Sequence, residues 1–208
     1  MIPAKADPDV QVAYLKQEME PRLAQAQAGT RAVFFVDAAH FVLAPFLGFL
    51  WSVTRLFIQA PSGRQRFNVL GALNAMTHEL ITVTNDRYIT SEQGCQLFHK
   101  LADRHLTVPI TLFLDNAAYQ RCALVLQTAV DLHIELGFLP PYSLNLIERL
   151  WKFVRKECLY STYYAKFPEF KTAISDCLAQ TSTKHKRALD ALLTLHFQMF
   201  KKAQFLPA

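Results

Sequence analysis

The sequence predicts one α/β domain built on a mixed sheet with helices on both faces. Three observations lead to this prediction. Apolar runs rich in strand formers come early, later runs alternate with helical segments, and both ends of the chain have helical patterns. Consecutive strands favour antiparallel pairing and strand–helix alternation favours parallel pairing, so we expect both in a single sheet. The 208 residues suffice for one domain with a full core.

The first half of the chain is predicted to be a helix followed by strands. Asp7 and Pro8 form a typical helix start. We expect this charged helix to be interrupted at Pro21, which lacks a backbone donor, and to end near Gly29. β-Branched and aromatic residues predict four strands, at residues 32–36, 51–58, 67–73 and 79–85.

The second half is predicted to alternate between helices and strands. Thr90, with Gln93 three residues later, is typical of a capping box at the start of a helix. The predicted helices span residues 90–104, 121–131, 146–158, 168–180 and 186–199, and the predicted strands span residues 110–114 and 134–139.

An aspartate directly follows each of two fully apolar strands. Asp37 follows AVFFV and Asp115 follows ITLFL. Such strands belong in the centre of a sheet, and functional groups of α/β proteins collect beyond the carboxyl ends of central strands. Two neighbouring carboxylates repel each other unless protons or cations intervene, and oxygen ligands of this kind suit Mg²⁺ or Mn²⁺. The alternative is that each aspartate only begins a turn.

The segment SLNLIERLWKFVRKEC predicts an amphipathic helix. Its apolar positions recur at helical spacing and are expected to be buried: Ile147, Leu150, Trp151, Val154 and Cys158. Glu148 shares another stripe with Lys152, Arg155 and Lys156, which suits a metal ligand followed by phosphate-binding cations. Two alternatives stay open. Glu148 can form a capping box with Asn145, or an ordinary exposed ion pair with Lys152.

Composition narrows the class of protein. The net charge of +5 fits a polyanionic partner such as DNA. No apolar run reaches the roughly 18 residues that a membrane span requires. The four cysteines lack metal-binding or redox spacing. We therefore expect a cytoplasmic protein with reduced thiols and no membrane segment.

Four strings together resemble one family of enzymes: FFVDAAHF, SGRQRFNVLGALN, LFLDNAAYQRC and LPPYSLNLIERLWKFVRKECLY. They are similar to bacterial mariner-type insertion-sequence transposases of the insertion sequence 630 group. These are DDE superfamily endonucleases with a ribonuclease-H-like fold. The resemblance covers residues 16–200, and the succession of LDNA, PPYS and IERLW is its specific part.

The resemblance implies a site and a reaction. Asp37, Asp115 and Glu148 are then the catalytic acids, and they hold two Mg²⁺ or Mn²⁺ ions. The implied reaction is cleavage at transposon ends and joining to target DNA, carried out by a homodimer on DNA in the bacterial nucleoid. His40 and Asn116 lie beside the acids and are predicted to hydrogen-bond the metal ligands. The alternative for both is an ordinary local hydrogen bond.

The resemblance also implies a division of the chain. Residues 1–30 are then a helical extension, and residues 31–208 are the catalytic domain with its C-terminal helices. Full-length relatives carry N-terminal helix-turn-helix modules, whereas only about thirty residues precede the first predicted strand here. We therefore expect a catalytic portion: one of two reading frames, a truncated copy or a fragment.

One turn departs from the family pattern. This chain has PPYSLNLIER where similar sequences usually have PPYSPNLNLIER, so two residues are missing before Glu148. Such a loss rotates a helix by about 200° unless the loop absorbs it. The loss favours an alternative function, a catalytically inactive remnant that binds DNA or an intact partner. A stand-alone ribonuclease-H-like nuclease is a separate alternative that also stays open. Arg64 and Arg66 in SGRQRF are either DNA contacts or part of a solvated turn.

Overall fold

The computed structural model describes residues 7–43, 65–140, 144–160 and 162–197. Its strands are β1 (Ala32–Val42), β2 (Arg66–Asn74), β3 (Leu80–Asn85), β4 (Ile110–Leu114) and β5 (Ile134–Phe138). They form one sheet in the order β3-β2-β1-β4-β5. β2 is antiparallel to both β1 and β3, whereas β1, β4 and β5 are parallel. The predicted mixed sheet is confirmed.

Helices cover both faces of this sheet. They are α1 (Pro8–Tyr14), α2 (Glu20–Gln27), α3 (Ser91–Ala102), α4 (Ala123–Asp131), α5 (Ile147–Cys158), α6 (Phe167–Ala179) and α7 (Lys186–Leu192). Apolar residues of α3 and α4 build one core, and those of α2, α5, α6 and α7 build the other. This arrangement also matches the prediction. None of the described helices combines the length and apolarity that crossing a membrane requires.

The alternation of β1 shows why its first five residues, 32–36, are all apolar. Val33 and Phe35 lie in the core beneath α5, whereas Phe34 and Val36 lie in the core beneath α3. Successive side chains of a strand point to opposite faces, so a strand covered on both sides has no polar position. β1 is therefore the central strand that the sequence predicts.

The N-terminal helix differs from the prediction at Pro21. The chain stays helical there, because a π turn, Leu15–Met19, precedes α2. The Glu20 N–H donates to the Leu15 carbonyl, five residues back. Proline has no N–H to donate. The wider π turn changes the hydrogen-bonding pattern in the residues just before Pro21, and the helix continues through the proline. The predicted ends hold: Asp7 accepts hydrogen bonds from the first turn, and Gly29 follows α2 with φ +72°.

Other boundaries shift by a few residues. The capping box of Thr90 and Gln93 is confirmed at the start of α3. α4 begins later than predicted because a 3₁₀ turn, Ala118–Arg121, occupies the residues before it. α7 ends at Leu192 and does not reach the predicted end. The predicted strand at residues 51–58 lies outside the described residues.

Candidate metal centre

Asp37 and Asp115 lie at the fork where β4 separates from β1. The parallel ladder between these strands ends at the pair Val36–Leu114, and each aspartate is the next residue in its chain segment. β1 itself continues to Val42, so the prediction that it ends at residue 36 is wrong. Pairing with β2 keeps the residues after Asp37 extended. Asp37 therefore sits within a strand, and Asp115 directly after one.

Burial and the neighbouring carboxylates together control the ionisation of Asp37. The pKa of Asp37 is raised to about 7, by burial first and then by the negative charges of Asp115 and Glu148. Hydrogen bonds from the Ala38 backbone N–H and the Trp151 indole N–H act in the opposite direction, since they favour the charged carboxylate. The negative charges of both other acids therefore raise the pKa of Asp37.

Asp115 is held by the segment that follows β4. Burial raises the pKa of Asp115, and a hydrogen bond from the Gln120 side chain lowers it. Gln120 is 2% exposed and lies in the 3₁₀ turn before α4. Its Oε1 atom is buried without a hydrogen-bond partner among the described residues. Asn116 Nδ2 donates to the Leu139 carbonyl at 2.7 Å, which ties the same segment to the end of β5.

Helix α5 brings Glu148 towards Asp37. The five apolar positions predicted to be buried on this helix are all buried, and Glu148 is exposed in its first turn. Asn145 Nδ2 donates to the Val36 carbonyl at 3.0 Å, which joins the turn before α5 to the residue before Asp37. The Glu148 N–H reaches the Asn145 backbone carbonyl at 3.3 Å. The helix therefore presents its predicted face to the core.

The two alternatives for Glu148 are not supported by these contacts. The Asn145 side chain is engaged with β1, and α5 has no side-chain cap, so the capping-box alternative is wrong. No ion pair joins Glu148 to Lys152 within the described part of the chain.

Trp151 was expected only to pack in the core, but its indole also contacts Asp37. Its Nε1 donates to Asp37 Oδ2 at 3.1 Å. The indole fits because Gly71, the partner of Asp37 across the β1–β2 ladder, has no side chain. A Cβ at Gly71 would lie 2.8 Å from Trp151 Cη2. A glycine inside an otherwise apolar strand was the available sign of such a close approach.

These acids have the chemistry of a site for a divalent cation. Carboxylate oxygens are hard ligands that suit Mg²⁺ or Mn²⁺. A cation between Asp37 and Asp115 would offset the repulsion that helps to raise the pKa of Asp37. As the side chains stand, no three His, Cys, Asp or Glu residues among those described are grouped closely enough to hold one ion. The donor set fits a metal chemically, and Asp37 is under the electrostatic influence of both Asp115 and Glu148.

The three cations predicted to bind DNA occupy two places on α5. Lys152 and Lys156 are exposed, and they line a recess of about 430 Å³ between α5 and α7. The Arg155 guanidinium instead lies 5.5 Å from the ring centroid of Phe41 and is half-buried. Arg155 therefore lies over β1 and does not line the recess of the two lysines.

His40 is not beside the acids. Ala39 belongs to the core under α5 and Ala38 packs against the core under α3, so alternation places His40 on the face away from Asp37. His40 Nδ1 lies 2.7 Å from Asn68 Oδ1 on β2. His40 and Asn116 both make local hydrogen bonds, and only Asn116 adjoins an acid.

Comparison with known proteins gives a family and a fold. A family model described as DDE superfamily endonuclease matches residues 32–171. The Mos1 Strand Transfer Complex aligns with a TM-score of 0.59 and 12% identity, over 93% of this chain and 61% of that chain. A pre-cleavage Mos1 transpososome gives 0.58 and 9%, over 97% and 66%.

A Mos1 transposase paired-end complex with the left transposon end gives a TM-score of 0.52 and 9% identity, over 88% of this chain and 59% of that chain. This chain therefore spans about three fifths to two thirds of the Mos1 chains. These likenesses confirm the ribonuclease-H-like fold. No curated protein sequence matches this chain significantly.

Proposed function

We propose that this chain, which belongs to the DDE superfamily endonucleases, is the catalytic domain of a DNA transposase. It cuts transposon-end DNA and joins the cut end to target DNA. The observation that carries this proposal is the placement of Asp37 and Asp115 at the fork between β1 and β4, with the charge of Glu148 reaching Asp37 from α5.

Asp37, Asp115 and Glu148 are the proposed ligands of Mg²⁺ or Mn²⁺. When bound, two such ions supply activation of water and of a DNA 3′-hydroxyl, and stabilisation of the leaving oxygen. The rest of the chain holds the acids in place. Trp151 donates to Asp37, and Gln120 donates to Asp115. Fixed carboxylates are what such a reaction requires, because small displacements of a metal ligand weaken the site.

DNA is the proposed partner of the surface around these acids. Lys152 and Lys156 are exposed along the helix that carries Glu148, where they are suited to bind phosphates. Arg155 is proposed to reach the same DNA from its place over Phe41. The Mos1 complexes of similar fold support transposon ends as the ligand, and we propose a homodimer on DNA in the bacterial nucleoid.

The finer family is proposed from the sequence strings. Mariner-type transposases of the insertion sequence 630 group have sequences similar to LFLDNAAYQRC and LPPYSLNLIERLW. The similarity in fold to the Mos1 complex supports this assignment. We further propose residues 1–30 as an extension docked on a catalytic domain of residues 31–208. Its docking is supported by Met19, which is fully buried, and by Arg22, whose Nη2 lies 2.5 Å from Glu135 Oε1 on β5.

A second candidate function is a remnant that binds DNA without cutting it. The turn before Glu148 is two residues shorter than in similar sequences. In agreement with this alternative, the three acids are not gathered within holding distance of one ion among the described residues. Asp37 and Asp115 keep their places in either case, so Glu148 decides between the two functions.

The test is strand cleavage of transposon-end DNA. The wild-type protein is incubated with end-containing duplex in Mg²⁺, in Mn²⁺ and in chelator, beside Asp37→Asn, Asp115→Asn and Glu148→Gln variants. We expect metal-dependent nicking by the wild type and a loss of at least about a hundredfold in each acid variant. Asp131→Asn, an exposed aspartate on α4, is the matched control and is expected to nick normally.

A variant with Pro and Asn inserted after Ser143 restores the usual length of the turn before Glu148. Nicking only by this variant favours the remnant for the natural chain. Binding without nicking by every version, the lengthened one included, contradicts the endonuclease.

A further inference from the structure

A basic and aromatic surface lies at the end of the sheet where β1 and β3 terminate, which is also the end towards which the acids lie. Beyond Asp37, β1 runs five residues further to Val42, which pairs with Arg66. At about 3.3 Å per residue, this places the end of β1 roughly 17 Å from Asp37. β3 ends at the same edge and is followed by Arg87 and Tyr88. We call Arg66, Arg87 and Tyr88 the edge patch.

The edge patch offers cations and an open aromatic face together. Tyr88 is 69% exposed, and the Arg66 guanidinium lies 5.4 Å from its ring centroid. A recess of about 560 Å³ lies here, lined by Gln65, Arg66, Asp86, Arg87, Tyr88 and Phe167. Its acid, Asp86, is paired with Lys171 at 2.6 Å. Arg66 and Arg87 have no ion-pair partner among the described residues, so the recess carries unneutralised positive charge.

A network of side-chain hydrogen bonds holds this surface in position. Asn68 is fully buried, and its Nδ2 donates to Asn85 Oδ1 at 2.9 Å and to the Arg87 carbonyl at 3.0 Å. Asn85 Nδ2 in turn donates to the Tyr88 carbonyl at 2.7 Å. His40 completes the set through Asn68 Oδ1. The exposed ring of Tyr88 therefore stands on a fixed loop, which lowers the entropy lost when a ligand stacks on it.

A row of cation–ring pairs connects the edge patch with the acids. Arg155 lies over Phe41, next to Trp151, and Phe41 pairs across the ladder with Phe67. Lys171 lies 5.4 Å from the Phe67 ring centroid and pairs with Asp86, which lines the recess of the edge patch. These contacts lead from Arg155 on α5 to the recess that Tyr88 lines.

We propose that the edge patch binds an unpaired stretch of the DNA strand whose cleaved phosphate lies at the acids. Cations bind backbone phosphates, and exposed aromatic rings stack on unpaired bases of any sequence. One base stacks on Tyr88, and the phosphates beside it bind Arg66 and Arg87. The patch meets the strand a few nucleotides from the cleavage site, because the end of β1 lies roughly 17 Å from Asp37. This proposal rests on the proposed function, because it takes DNA as the ligand of the acids.

The experiment compares the affinity for two DNAs in chelator, where cleavage plays no part. One is a blunt duplex, and the other is the same duplex with an unpaired extension of eight nucleotides. Fluorescence anisotropy measures both for the wild type, Tyr88→Ala, Tyr88→Phe, Arg66→Gln and Arg87→Gln. Arg104→Gln is the matched control, since Arg104 is exposed and pairs with Glu79 at the opposite edge of the sheet.

We expect Tyr88→Ala to lower the affinity for the extended DNA about tenfold, while Tyr88→Phe retains it. Arg66→Gln and Arg87→Gln should each lower the slope of log affinity against log salt by about 0.7 on that DNA. Equal affinity of Tyr88→Ala and the wild type for the extended DNA overturns the proposal, and so does an equal loss on both DNAs. A change of oligomeric state in Tyr88→Ala without DNA instead indicates a protein interface and also overturns it.

These experiments distinguish a failure of the edge-patch proposal from a failure of the proposed transposase function. If the wild type nicks transposon ends but the edge variants bind extended DNA normally, only the edge patch is wrong. If the wild type neither binds nor nicks either DNA, the transposase function fails as well. Thermal melting of each variant establishes that the protein is folded before affinities are compared.

Discussion

Trp151 Nε1 donates a hydrogen bond to Asp37 Oδ2 at 3.1 Å, and this bond joins the helix of the third acid to the strand of the first. Glu148 lies three residues before Trp151 on α5. The indole packs on Gly71, which faces Asp37 across the ladder. The position of Glu148 relative to Asp37 is therefore set by the contact between an indole and a glycine.

The substitution Gly71→Ala tests this contact. The new Cβ would meet the Trp151 ring at 2.8 Å, so the indole must move away from Asp37. We expect a loss of about 1–3 kcal/mol in the free energy of unfolding, together with a loss of nicking. Gly94→Ala is the control, because its Cβ would meet only Val125 at 3.6 Å. That helical glycine should gain about 0.5–1 kcal/mol on the same substitution. Normal nicking by Gly71→Ala would contradict the account.

Trp151→Phe removes the hydrogen bond and keeps most of the ring. The indole N–H lowers the pKa of Asp37, so its loss raises that pKa further. We expect nicking to fall about tenfold, in line with the roughly 1.5–3 kcal/mol typical of a bond to a charged group. The low-pH limb of the pH–rate profile should also move to higher pH. A lower rate with an unmoved profile would assign Trp151 a packing role alone.

The raised pKa of Asp37 predicts how stability changes with pH in metal-free buffer. Between its usual 3.8 and about 7, the folded protein binds more protons at Asp37 than the unfolded chain does. Stability therefore falls as pH rises through that range, by up to about 4 kcal/mol. Asp37→Asn should flatten the fall and melt at a higher temperature than the wild type at pH 8. Asp131→Asn should follow the wild-type curve, and a variant Asp37→Asn that is less stable at pH 8 would contradict the prediction.

Lys152 and Lys156 should contribute to DNA binding through charge alone. Each of Lys152→Gln and Lys156→Gln is expected to lower the slope of log affinity against log salt by about 0.9 on duplex DNA. The control is Lys16→Gln, an exposed lysine in the π turn of the N-terminal helical segment. Anisotropy titrations at several salt concentrations measure the slope. An unchanged slope in both α5 variants would remove this face from the DNA interface.

Local patterns were sufficient to predict much of this site. Asp37 and Asp115 were found because each follows a five-residue run that is apolar along its length, a pattern typical of central strands. The buried face of α5 followed from helical spacing and is confirmed. The exposed face, with Glu148 in its first turn, followed from the same spacing.

What local patterns missed depends on contacts between distant segments. The end of β1 was placed at residue 36 because nothing in AVFFVDAAHFV shows that β2 keeps the strand extended to Val42. That error also misplaced His40. Once the strand continues, alternation puts His40 on the face opposite Asp37. The hydrogen bond from Trp151 and the anchoring of Asn145 on Val36 join residues more than a hundred positions apart, beyond the reach of spacing.

The central claim is that Asp37 and Asp115 form a divalent-cation site at the fork between β1 and β4, and Mn²⁺ binding tests it most directly. Electron paramagnetic resonance measures free Mn²⁺ during titration of the wild type, Asp37→Asn, Asp115→Asn and the control Asp131→Asn. The account predicts saturable binding by the wild type and the control, and loss of that binding in Asp37→Asn and in Asp115→Asn. Wild-type binding of Mn²⁺ by either of these two variants would contradict it.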